Sequence, residues 1–147
     1  MGQQQLLLVI LVTILVGIAT VIAINIFSSA MSASNKDAVR TDLATLATNA
    51  HAYYAKPTML GGGGNSFDGF TFNTIAFPAD EISPDGLNAR NANGIYHIYS
   101  SSNTSLGIYG EPIIEISDVV DINSLVSDTD YFAVTISSDS LVWSHTF

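Results

Sequence analysis

Residues 6–27 read LLLVILVTILVGIATVIAINIF, without a charged residue or a proline. At about 1.5 Å per residue, a helix of this length spans about 33 Å, close to the ~30 Å hydrocarbon thickness of a bilayer. A surface helix needs only one apolar stripe, and this segment is apolar on every side. It therefore sits in lipid, is cleaved off, or is buried among copies of itself.

N-terminal to this run, residues 1–5 are polar and hold no Lys or Arg. A secretory signal peptide has a basic n-region and an apolar core of about 7–15 residues. Neither feature is present, although Ser28-Ser29-Ala30 supplies small residues for a cleavage site. C-terminal to the run, residues 28–56 contain no Pro or Gly. Val39, Leu43, Leu46, Ala50 and Tyr53 recur at spacings of four, three, four and three. That spacing marks one face of an amphipathic helix. One continuous helix from about Gln3 to Tyr54 is predicted, roughly 78 Å long. Its weakest part is Ser28–Asn35, rich in Ser and small residues, where a kink is tolerated. Pro57 ends the helix, because the residue before a proline is pushed out of the α region.

Beyond Pro57 the signals change to turns and strands. Gly61–Gly64 lacks the preceding strand and the Lys-Ser/Thr of a phosphate loop, so it reads as a loop or linker. Phe70-Thr71-Phe72 is short and β-prone. Residues 78–93 are turn-rich, with Ser83-Pro84-Asp85-Gly86 the clearest turn. Strands are predicted over 94–99 and from Leu106 to Tyr109, with another strand or a cover over the sheet at Ile113–Ile116. Residues 118–130 read as an acidic connection. Tyr131–Ser137 and Leu141–Phe147 form a closing hairpin around Ser138-Asp139-Ser140. Trp143 is expected to anchor the last strand in the core. The fold class is α+β: a long N-terminal helix on a small antiparallel sheet. Its parts are an apolar helix (1–27), an amphipathic continuation (28–56) and an outer β domain (57–147).

The 147 residues carry 4 Lys+Arg and 13 Asp+Glu, a net charge of -9. Eleven of the thirteen acids follow residue 58, against Arg90 alone. Such a domain disfavours nucleic acid, whose phosphates need Lys and Arg. The absence of cysteine removes disulfides, thiol nucleophiles and Cys zinc sites. His51, His97 and His145 form a metal site only if the fold gathers them. Asp128 and Asp130, with Asp118 and Asp121 nearby, are the calcium candidates, but the EF-hand spacing and its glycine are missing. The six tyrosines read as core aromatics. No nucleophile–base set stands out, so neither an enzyme nor a cofactor is expected. Asn103-Thr104-Ser105 is a glycosylation sequon, meaningful only at a cell surface.

The layout as a whole resembles the type IV pilin-like proteins. In sequence the resemblance lies at the N-terminus. There Met1–Leu8 (MGQQQLLL), together with Tyr53-Tyr54 and the glycine run, is similar to a group of uncharacterised bacterial pilin-like proteins. Pilins carry a glycine at the cleavage point and an acidic residue shortly after it. Gly2 stands as the processing glycine, while neutral Gln5 takes the place of the glutamate and the leader is almost absent. Lys36 and Arg40 lie on the side that the resemblance makes extracytoplasmic, against the positive-inside rule.

The resemblance implies a structural subunit, held in the cytoplasmic membrane, methylated at its processed terminus and polymerised by type IV filament machinery into an extracellular pilus. The filament core would be Gln3, Gln4, Gln5, Leu6, Leu7, Ile10, Ile14, Gly17, Val21 and Ile24, the three glutamines reading equally as assembly contacts or as an interfacial polar cap that keeps the terminus in water. Val39, Leu43, Leu46, Ala50, Tyr53 and Trp143 would join helix to sheet. The alternatives are a pseudopilin of a secretion machine and a single-pass membrane protein with a ligand-binding outer domain.

Overall fold

The computed structural model describes residues 2–113, 122 and 131–146, with side chains described to Ser144. The expectations for 114–121 and 123–130, including Asp128 and Asp130, and for the His145 side chain lie outside the described residues. The fold is α+β, as the sequence predicts. Among the described residues one α-helix, α1 (Gly2–Ala55), precedes six strands: β1 (Glu81–Ile82), β2 (Asn88–Arg90), β3 (Gly94–Ser101), β4 (Ser105–Pro112), β5 (Tyr131–Ser137) and β6 (Leu141–Thr146). The strands form one antiparallel sheet in the order β1-β2-β3-β4-β5-β6. Helical structure continues through Ser28–Asn35 without a break. The chain comprises two compact units, Met1–Ser34 and Asn35–Phe147.

The second unit holds the core. Val39, Leu43, Leu46 and Ala50 are fully buried, and Ala47 nearly so. They pack with Ala89, Tyr96, Ile98, Leu106, Ile108, Phe132, Val134 and Ile136 of β2–β5. The period of two along β4 and β5 puts these strand residues on one face of the sheet. Close approach of helix to sheet needs small residues. A Cβ added to Gly110 would lie 2.9 Å from Val39.

Three strand expectations are corrected. Phe70-Thr71-Phe72 lies in turns, yet Phe67, Phe70 and Phe72 are buried. Their aromatic character serves packing: Tyr53 meets Phe70 edge-on at 5.4 Å and Tyr54 lies 4.7 Å from Phe67. The turn-rich stretch 78–93 contains β1 and β2, joined by the predicted Ser83–Gly86 turn, which closes with a 2.9 Å bond from the Gly86 N–H to the Ser83 carbonyl. Strands of two and three residues are too short to show a period. Trp143 is 45% exposed and lies outside the core cluster. Its strand β6 is the sheet's edge. Although paired with buried Val134, Trp143 has a neighbouring strand on one flank only.

Gly61–Gly64 is a bonded cap, not a slack linker. The Gly63 N–H donates to the Tyr53 carbonyl at 2.8 Å, that of Gly64 to Lys56 at 2.9 Å and that of Asn65 to Tyr54 at 2.8 Å. These are carbonyls that a helix end leaves without partners. A Cβ at Gly63 would come within 1.8 Å of the Ser66 carbonyl oxygen, so the approach excludes any side chain there.

Candidate functional site

The first candidate is the surface of residues 6–27. Its large apolar side chains are exposed around the whole helix, from 48% at Val12 to 70% at Leu7. The most apolar 18-residue window has mean hydropathy 3.1, and none of it is buried. Ile10, Ile14, Val21 and Ile24 belong to this surface. Gly17 has open space where a Cβ would stand. Thr13 and Thr20 do not interrupt the apolar surface chemically. Their hydroxyls donate to the Ile10 and Val16 carbonyls, each at 2.8 Å, so neither proton needs an outside partner. Gly2 opens the helix, and Gln3, Gln4 and Gln5 form its exposed first turn. This helix is long and apolar enough to span a membrane.

The second unit holds its part of the helix against the sheet. Besides the apolar contact, a polar pin crosses from α1 to the sheet. Asp42 Oδ2 accepts from the Tyr96 hydroxyl at 2.6 Å and from Asn91 Nδ2 and Asn93 Nδ2, each at 2.9 Å. Burial, and then the Asp42 carboxylate, push the Tyr96 phenol far above its ordinary value, so it stays a donor. Sequence reasoning missed this pin. Its members are 49–54 residues apart, and only Asp42, one turn from buried Val39 and Leu46 and next to Leu43, hinted at it.

On the opposite face of the sheet, His97, Tyr99, Tyr109 and Tyr131 form a row of rings. Tyr109 lies 5.1 Å from His97, 6.0 Å from Tyr99 and 5.5 Å from Tyr131. Burial holds the His97 imidazole below its ordinary value, partly offset by Asp85. Burial raises the Tyr109 phenol to about 12. His97 Nδ1 bonds Asn88 Oδ1. His51 lies elsewhere, edge-on to Phe67 at 6.3 Å. Among the described residues no three ligating groups converge on a metal position. Asn103 is exposed in the β3–β4 turn, where its Oδ1 accepts from Ser66 Oγ at 3.1 Å.

One groove stands out in the second unit. Arg40, Thr41, Ala44, Phe132, Trp143 and Ser144 enclose about 460 Å³ between the helix and the β6 edge. The Arg40 guanidinium lies over the Phe132 ring at 4.5 Å and bonds Asp37 at 3.2 Å.

These features define a class: an α+β chain whose long N-terminal helix is apolar on all sides in one unit and half-buried on a sheet in the other. No family model matches the chain, and no curated protein and no solved structure matches it either.

Proposed function

We propose that this chain is the structural subunit of an extracellular type IV pilus-like filament, held in a membrane before assembly. The observation that carries the reading is the exposed apolar surface of Leu6–Phe27. At ~25 cal/mol per Å², covering its sixteen large side chains is worth tens of kcal/mol relative to water. Lipid covers it before assembly, and parallel copies of the same helix cover it in a polymer. The half-buried continuation of the helix ties each such segment to an acidic sheet domain suited to a solvated exterior. All seventeen charged residues lie after residue 35. The arrangement supplies attachment and polymer contacts, and the reading assigns no catalysis to it.

Negative-stain microscopy of material sheared from the surface of native cells tests the reading, with mass spectrometry of the subunit's N-terminus. Filaments containing this chain are expected. Membrane-embedded monomers alone would favour the single-pass protein instead.

A further inference from the structure

Among the described residues of Asn35–Phe147, large apolar side chains are exposed by more than half at two places: Met59 (95%) with Leu60 (67%), and Val142 (59%) on β6. Val142, paired with Thr135, lies on the sheet face away from the helix, whereas Trp143, paired with buried Val134, lines the 460 Å³ groove. Met59 and Leu60 are not loose. They form a 3-10 turn, Thr58–Leu60, whose Leu60 and Gly61 N–H groups each donate at 3.0 Å, to Pro57 and Thr58. The glycine cap then straps the turn to the last turn of the helix. The pair therefore stands as a fixed apolar knob just beyond the end of the helix.

We infer that Met59 and Leu60 of one copy seat in the Arg40–Phe132–Trp143 groove of a second copy, setting the register of the polymer. This rests on the homopolymer reading above. The volume matches pockets that bury most of a bound group, roughly 300–1,000 Å³. Charge agrees as well. Lys56 stands exposed at the base of the knob, and Asp37, its side chain 75% exposed, is tied to Arg40 at the groove. Knob and groove are different surfaces of one subunit, so the contact is heterologous and need not close, the symmetry of an open filament.

Area decides what the contact does alone. Two such side chains cover roughly 200 Å², a quarter of the ~800 Å² per partner in a stable interface. The knob therefore sets register in a polymer whose cohesion comes from residues 6–27, and does not dimerise the sheet unit by itself.

The chain has no cysteine, so introduced pairs report cleanly. Met59→Cys with Ala44→Cys, both at exposed positions, is placed in the full chain in native cells, and surface material is oxidised. A ladder of disulfide-linked multimers is expected from the double variant, and none above a dimer from either single variant. Lys56→Asp should lower filament yield several-fold, and adding Asp37→Lys should restore it. Filaments without a ladder, or cross-links to a different protein, would overturn this contact and leave the polymer reading intact. Absence of any polymer from the unsubstituted chain would overturn both.

Discussion

Residues 2–34 and 35–147 obey opposite rules. The first has no charged side chain, no core and apolar groups exposed on every side. The second holds every charge, buries one helical face completely and spends its polar groups on defined bonds. The difference teaches that a continuous helix need not have a single source of stability. Residues 35–55 are held by tertiary packing. Residues 6–27 depend on a solvent other than water or on neighbours. The same kind of change should therefore act differently in each.

The largest contrast is a buried charge. Leu46 is fully buried, and Leu46→Asp should cost about 3–5 kcal/mol and unfold a fragment starting at Ser28. Ile14→Asp in the full chain should leave the sheet unit's melting unchanged and disfavour membrane insertion by about 3 kcal/mol. Thermal melting of the fragment and membrane fractionation of the full chain read the two arms. An unchanged melting temperature in Leu46→Asp would mean the packed face is misassigned.

Next comes the polar pin. Asp42→Asn removes the charge from a carboxylate oxygen that accepts three bonds. A loss of about 1.5–3 kcal/mol in urea unfolding of the fragment is expected, and a double-mutant cycle with Tyr96→Phe should show coupling. Additive losses would show that the two groups act separately.

Glycines sharpen the comparison further. Gly63→Ala collides with the Ser66 carbonyl and should destabilise the second unit by about 1–3 kcal/mol. Gly17→Ala meets nothing within 4 Å, so within one chain it should only favour the helix, by about 1 kcal/mol. If Gly17→Ala lowers filament yield, a neighbouring helix approaches at that point.

The smallest effect is on pH. Residues 2–34 carry no titratable side chain, so pH should act on the second unit alone. His97 is held below its ordinary 6.5, so the unfolded chain takes up the proton first. Stability should fall as pH drops below 6.5 toward the lower folded value, and His97→Gln should flatten that slope. Tyr109, raised from 10.0 to about 12, keeps its proton longer when folded, so stability should also fall from pH 10 upward. Melting temperatures across pH check both slopes. A flat acid limb in the unsubstituted fragment would contradict the His97 assignment.

The order of side chains alone determined the helix and its two characters. The spacing of Val39, Leu43, Leu46 and Ala50 is a local period, and Pro57 is a local stop. The β5–β6 hairpin was legible for the same reason, being two alternating runs around a polar turn. Tertiary structure alone decided three things. Asp42 meets Asn91, Asn93 and Tyr96 only because the helix crosses the sheet there. Trp143 is left half-open because β6 is an edge, a property of sheet order and not of residue type. The glycine run became a cap because the chain turns back onto the carbonyls of Tyr53, Tyr54 and Lys56. Periodicity is written in neighbouring residues, whereas these contacts join residues that come close only once the chain has folded.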